Sequence, residues 1–434
     1  MSRMWWYTLA VLVLWVVDSE LRRIYGYCFG FSKLDILAIL PILSLVPFAW
    51  SLTYGGGWRR LPRLLSWAAW VWVGAFMYAL VLAYLSGNAV PGLYDFVGFV
   101  LPVALGLWVA ADEAPFLLAY KRLTNLLVPL TTLVSVYGVI QYVFAPAWDV
   151  AWLNNLIQRL GSTTFGLPFP LQIRVFSTLN SPVSCGCYLA LMLLLVLPQL
   201  SMRRPFLLIQ VPIWFIAFAL SLVRTGWLMF AVGALTFLIF TRRRSNLVAT
   251  LGIVAAQIAI VAAVLSVTGG DDVVTSLSNR FATLSDVQSD GSVQSRQGIY
   301  DFGPKIILAA PFGQGLGILG ASTNLGSAGE TTDFDSGVLA RAFEMGLPGV
   351  TLYIISLAVL LFSAVQLWSR ARLNRDEMLQ SIAAMAIGIN VSLAFAQVSL
   401  DVNGLMLIVM WTIESLAIRA LAPEANRSLR LAYA

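Results

Sequence analysis

Apolar runs of roughly membrane-spanning length recur from one end of this chain to the other, and no other feature restricts its fold more. They lie near Trp6 to Val17 (short), Leu34 to Ser51, Leu65 to Leu85, Phe96 to Ala111, Leu126 to Phe144, Val183 to Leu200, Phe206 to Leu222, Trp227 to Phe240, Leu247 to Val267, Gly337 to Leu367, Leu379 to Val398 and Leu405 to Leu421. Since a helix needs about 20 apolar residues to cross the hydrocarbon core, this amounts to about 12 spans. Soluble domains carry roughly 25% charged residues, whereas this chain of 434 has 11% charged and 59% hydrophobic residues. In lipid the backbone must satisfy its own polar groups, so only helices and closed barrels cross. Runs such as Leu247 to Val267 lack the period-two alternation of barrel strands. The expectation is an all-α polytopic membrane protein, with residues 1–434 forming a single integral membrane domain.

The placement of charge gives the topology. The net charge of +6 comes from 24 Arg and 3 Lys against 21 acids. Basic clusters stand at Arg59, Arg60 and Arg63, at Lys121 and Arg122, at Arg203 and Arg204, at Arg242 to Arg244, at Arg370, Arg372 and Arg375, and at Arg427 and Arg430. An even number of spans separates each from the next, so all share one face, which the positive-inside rule makes cytoplasmic. Both termini are then cytoplasmic, and two longer segments, 145–182 and 266–335, lie on the opposite face. Arg3 and the following apolar run resemble a signal peptide, but Asp18 and Glu20 occupy the place of a cleavage site, so the segment should remain as the first span.

Several function classes recede on the same grounds. No nucleic-acid motif accompanies the positive charge. Three cysteines and no histidine give neither a disulfide framework nor a transition-metal site, and no metal or cofactor is expected. Transporters often show inverted repeats, paired broken spans and charges deep in several helices. Here no repeat is visible and the span interiors are almost free of charge.

Arg174, Arg224, Arg280, Arg296 and Arg341 all fall on the non-cytoplasmic face, where isolated arginines are scarce unless they snorkel or serve a site. Asp333, Asp335 and Glu344 are close to them in sequence. A guanidinium stays charged and matches phosphate oxygens two at a time, so a lipid-linked diphosphate is a natural ligand at that depth. If a sugar is transferred from it, arginines would stabilise the departing diphosphate and a carboxylate would serve as general base. Arg22 and Arg23 follow the first span, with Asp18 and Glu20 close enough to form ion pairs; an added phosphate contact is the functional alternative. Glu344 can likewise pair with Arg341 three residues before it. The run Gly313 to Gly317 has the glycine content of a phosphate loop without its strand, lysine or hydroxyl, and reads as a turn.

Four blocks in order, RVFSTLNSPVSCGCYL, SLVRTGWLMF, SRQGIYDFGPKIILAAPFGQGLG and DSGVLARAFEMGLPGVTLY, resemble the signature of the O-antigen ligase and Wzy-type polymerase superfamily over Arg174 to Tyr353. The resemblance implies a GT-C-like fold with a large periplasmic loop in the bacterial inner membrane. It also implies metal-independent, inverting transfer of glycans carried on undecaprenyl diphosphate. Arg224 and Arg296 match the family's diphosphate arginines; Arg174, Arg341, Arg22 and Arg23 are further candidates for the diphosphate or glycan, and Asp335 or Glu344 for the base. Partners would be the lipid-linked donor and acceptor and membrane lipids, with a chain-length regulator as an optional partner and no nucleic acid. The family's ligases carry His-Asn where this chain has Asp335-Ser336. That departure favours repeat-unit polymerisation over transfer to a lipid A core, with a ligase as the alternative and a lipid-linked sugar flippase as the rival from another class.

Overall fold

The computed structural model describes residues 3–32, 36–114, 116–160, 165–166, 173–200, 205–241, 255, 302–325, 337–395 and 404–421. Every regular element among them is helical. In chain order these are α1 (Arg3–Phe29), α2 (Leu40–Leu43), α3 (Val46–Thr53), α4 (Arg63–Leu85), α5 (Ala89–Ala111), α6 (Phe116–Phe144), α7 (Ala147–Leu160), α8 (Pro182–Leu200), α9 (Pro205–Leu220), α10 (Arg224–Phe240), α11 (Gly337–Leu373), α12 (Glu377–Phe395) and α13 (Gly404–Arg419). Among the described residues seven helices are long and apolar enough to cross a membrane, and three shorter apolar ones accompany them. The protein is an all-α polytopic membrane protein. The expected span Leu247 to Val267 lies outside the described residues, as does most of 266–335.

Several boundaries differ from the sequence reading: α5 and α6 begin earlier, the run read at Leu34 to Ser51 is broken into short helices, and two further differences have a physical reason. The first helix does not stop with the apolar run at Val17 but continues to Phe29. Its charged turn is compensated internally: Arg22 pairs with Asp18 at 2.9 Å, and Arg23 pairs with Glu20. The segment 145–182, read as a loop, contains α7, whose acidic residue Asp149 lies in its first turn, where it suits the helix dipole.

The chain divides into two compact units, Met1–Pro41 with Leu123–Asp290, and Ile42–Arg122 with Gly291–Ala434. In the first unit α1 packs on α7, and α8 packs on α9 and α10. The crossing of α8 and α10 is close because glycines meet there: a Cβ on Gly226 would lie 3.0 Å from the Gly186 carbonyl carbon. Small residues of this kind let membrane helices gain packing contact that lipid cannot supply.

In the second unit α5 packs on α13 and α4 on α11. A Cβ at Gly106 of α5 would stand 2.6 Å from the Trp411 carbonyl carbon, so only glycine permits that approach. Trp72 of α4 is buried at the centre, its indole N–H donating to Phe99 O at 3.0 Å. The rings of Phe76, Tyr353 and Trp411 surround it at 5.1, 5.0 and 5.5 Å. Ser356 Oγ donates to Ala68 O at 2.8 Å and ties α11 to α4.

α11 is 37 residues long but not continuous, because Gly346 breaks it with φ 63° and ψ −172°. A segment from 310 to 317 threads into that break. Leu347 N donates to Pro311 O at 2.8 Å, Gln314 N to Phe343 O at 3.2 Å, Gly315 N to Glu344 O at 2.9 Å and Leu316 N to Ala79 O at 3.2 Å. Gly313, Gly315 and Gly317 have φ of 88°, 95° and 86°. A Cβ at Gly315 would come within 2.6 Å of Ala83 Cα, and one at Gly317 within 2.5 Å of Pro91 Cβ. A turn does close at Gly313, whose N–H donates to Ala310 O at 2.9 Å, and beyond it the glycines form a clasp pressed on the backbones of α4, α5 and α11.

Candidate functional site

Within the first unit, residues 173–176 have no regular structure and lead into a turn before α8. Val175 N donates to Leu220 O at 3.1 Å, which binds this strip to the end of α9. The Arg174 side chain follows the same path, donating Nε to Ser221 O at 3.4 Å and Nη2 to Leu222 O at 3.2 Å. Carbonyls just past a helix C-terminus carry the negative end of its dipole and lack helical partners, so a guanidinium suits them. Leu222 sits in the left-handed region at φ 53°, at a cost of roughly 1–2 kcal/mol for a residue with a Cβ. Arg174 braces that turn.

Arg224 is the first residue of α10 and is half-buried. The N-cap, Val223, gives no side-chain hydrogen bond to the helix start. First-turn N–H groups without a side-chain cap, together with the positive end of the dipole, favour an anion at this point. The turn between α9 and α10 thus gathers Arg174, Arg224 and a helix N-terminus.

α1 contributes a buried charged group to the same unit. Arg23 is 2% exposed and pairs with Glu20 and, at 2.8 Å, with Asp149 of α7. Its Nη1 donates to Leu179 O at 2.7 Å, and its Nη2 donates to Ser177 O. Tyr137 Oη lies within hydrogen-bond distance of Glu20 Oε1 and of Asp149 Oδ2, the latter at 2.9 Å, and its one O–H donates to either. Gln141 Nε2 donates to Asp149 Oδ2 at 2.7 Å. Burial pushes the Asp149 carboxyl above its ordinary range, and the Arg23 guanidinium beside it pulls it back.

The second unit holds Arg341 and Glu344. Both are buried and their side chains pair at 2.5 Å one helical turn apart. The Arg341 guanidinium lies over the Phe99 ring at 4.5 Å. One turn before Phe99 on α5, Asp95 Oδ2 accepts from Gly317 N at 3.0 Å and from Ser322 Oγ at 2.7 Å. Asp95 also interacts electrostatically with Arg341. The glycine clasp links the two elements, Gly315 N donating to Glu344 O and Gly317 N to the Asp95 carboxylate.

The structure thus brings Arg174 to the turn that presents Arg224, joins Arg341 to Glu344, and joins Arg22 and Arg23 to acids of their own helix. Arg296, Asp335, Arg280 and Asp333 lie outside the described residues. Sequence reasoning missed Asp95, Tyr137, Gln141 and Asp149. The signal at Asp95 was an acid inside the apolar stretch GLYDFVGF, where a carboxylate demands a partner. Glu414, fully buried in α13 with Asn390 Nδ2 as donor, also shows that the spans are less free of charge than they read.

Residues 211–354 match the family model described as O-antigen ligase. The match covers less than half of the chain, running from within α9 to within α11. It includes Arg224, Arg296, Asp335, Arg341 and Glu344 and leaves out Arg22, Arg23 and Arg174. No curated protein matches the sequence.

Proposed function

We propose that this membrane protein, whose residues 211–354 carry an O-antigen ligase domain, polymerises oligosaccharide repeat units carried on undecaprenyl diphosphate. The observation that carries the reading is the turn between α9 and α10. Inside the matched region, Arg224 opens a helix whose N-cap side chain gives no hydrogen bond, and Arg174 is held at the same turn. That is the chemistry of a diphosphate site at the membrane surface.

In the reaction, an acceptor hydroxyl oxygen attacks the anomeric carbon of the growing chain. The bond from that carbon to the diphosphate oxygen breaks, the lipid diphosphate leaves with the electron pair, and the hydroxyl proton passes to a carboxylate. Arg224 and Arg296 bind the diphosphate and stabilise the charge that develops on it, with Arg174 assisting. Asp335 or Glu344 receives the proton or orients the acceptor. Arg341 holds Glu344 and is a further candidate for glycan contact. The reaction face is periplasmic, the membrane is the bacterial inner membrane and both termini are cytoplasmic. A polymerase is favoured over a ligase because the chain has Asp335-Ser336 and no histidine anywhere.

The test is deletion of the gene followed by analysis of lipid-linked glycans and surface polysaccharide. Single repeat units accumulating on the lipid diphosphate, with long polymer lost, is the expected outcome. Long polymer still made on the carrier but never joined to a lipid A core would replace polymerase by ligase. Repeat units trapped on the cytoplasmic face would replace both by flippase.

A further inference from the structure

Arg23 looks at first like one more cation for an anionic substrate, but its surroundings assign it elsewhere. A guanidinium has five N–H donors. Those of Arg23 donate to Leu179 O, Ser177 O and Glu20 Oε2, and the Asp149 carboxylate adds an ion pair at 2.8 Å. Its plane is flanked by the rings of Phe176 at 4.7 Å and Trp152 at 5.5 Å. A cation this deeply buried is tolerable only when so compensated, and the same bonds keep phosphate away from it.

What Arg23 grips is the segment that carries Arg174. The carbonyls of Ser177 and Leu179 belong to the turn that follows the Arg174 strip, and Ser177 is left-handed at φ 53°. α6 grips the same turn from its own side. Gln141 Oε1 accepts from Phe176 N at 3.0 Å and from Ser177 N at 2.8 Å, while Ser177 Oγ donates to Val134 O at 2.5 Å. Gln141 in turn donates to Asp149, the Tyr137 hydroxyl sits between Asp149 and Glu20 and donates to one of them, and Trp148 Nε1 donates to Glu20 Oε1 at 2.5 Å. A continuous set of bonds therefore runs from α1, α6 and α7 to residues 176–179. From there it continues through Val175 and Arg174 to the carbonyls of 220–222, immediately before Arg224.

We propose that Arg23 and Gln141 are positioning residues for the diphosphate site: they fix the turn at 176–179, and through it the place of Arg174 beside Arg224. The proposal rests on the reading of Arg174 and Arg224 as diphosphate ligands. It gives the α1 arginine a role that involves no contact with substrate. It also explains why two left-handed residues with side chains, Ser177 and Leu222, persist at either end of this strip. Each costs of order 1 kcal/mol, which the surrounding bonds must over-determine.

The test is a double-mutant cycle on the full chain in lipid nanodiscs, read as the Kd for a polyprenyl diphosphate. Arg23→Lys keeps the charge and loses the fork, and Arg174→Gln removes the ligand cation. Each single variant should weaken binding about tenfold, and the double variant should be no weaker than the poorer single one, because Arg23 acts through Arg174. Losses that multiply, about a hundredfold in the double variant, would overturn the positioning role, as would unchanged binding in Arg23→Lys. If Arg23→Lys does not accumulate as a monodisperse protein, Gln141→Asn, which draws the amide back from Phe176 N and Ser177 N, replaces it in the same cycle with the same two outcomes. Wild-type affinity in both Arg174→Gln and Arg224→Ala would instead remove the diphosphate reading itself, so the two failures are distinguishable.

Discussion

Replacing Gly315 by alanine separates two costs that the glycine clasp avoids. Gly315 has φ 95°, and a Cβ there would lie 2.6 Å from Ala83 Cα, a backbone atom of α4 that cannot swing aside. Left-handed strain costs an alanine roughly 1–2 kcal/mol, and forcing extra volume into a packed site adds about 1–3 kcal/mol. Displacing the segment would also weaken the Gly315 N bond to Glu344 O, 2.9 Å long, worth about 1 kcal/mol net. The sum is of order 3–6 kcal/mol. Two other glycines isolate the contributions. Gly56 has φ 68° and nothing within 4 Å of its would-be Cβ, so Gly56→Ala should cost only the strain. Gly74 lies within α4 with nothing within 4 Å and no left-handed φ, so Gly74→Ala should be neutral or stabilising by about 0.5–1 kcal/mol. The assay is the temperature at which half of each detergent-purified variant loses its monodisperse elution. The expected order is Gly74→Ala at or above wild type, Gly56→Ala lower, and Gly315→Ala lowest. A Gly315→Ala variant as stable as Gly56→Ala would show that the clasp is not pressed on α4 and would refute the packing argument.

Arg341→Met should destabilise the protein by about 3–5 kcal/mol, since it leaves Glu344 buried without its cation, while Arg341→Met with Glu344→Gln should recover much of the loss; equal melting temperatures for the single and double variants would contradict this. Gly106→Val should lower membrane abundance by separating α5 from α13, whereas Gly98→Val on the same helix, with nothing within 4 Å of its Cβ, should accumulate normally; immunoblots of membranes compare the two. Arg224→Ala and Arg296→Ala should abolish polymer at normal membrane abundance, losing about a hundredfold to a thousandfold in rate, as for one lost charge-stabilising donor. Arg243→Ala, in a cluster assigned to the cytoplasmic face, should leave polymer near normal when gels of surface polysaccharide are compared.

The helical membrane class was legible because it rests on a one-dimensional property: runs of apolar residues long enough to span lipid. Pairings within a helix were legible too, since Asp18 with Arg22, Glu20 with Arg23, and Arg341 with Glu344 follow from a spacing of three or four residues. Asp149 and Gln141 were not, because their importance comes from Arg23, more than a hundred positions away, and only folding makes them neighbours. The turn at Gly313 was legible, but the contacts of the glycines after it were not, for a related reason. Glycine content announces unusual backbone freedom but not what the backbone will press against. The extension of α1 beyond its apolar run escaped notice because charges usually end a span, and here their partners let the helix continue.

The break at Gly346 has a mechanical consequence. At 37 residues, α11 would measure about 55 Å if straight, well beyond the roughly 30 Å of a hydrocarbon core. The short arm before Gly346 is fastened at its end by the clasp through Phe343 and Glu344, and the first residue of the stem, Leu347, is held by it too, while the long stem leaves residues such as Ile354, Ile355 and Phe362 exposed. Spans tilt to match bilayers of different thickness. With the glycine break between them, the arm that carries Arg341 and Glu344 need not share the axis of the stem, so residues 347–373 alone have to match the thickness of the bilayer.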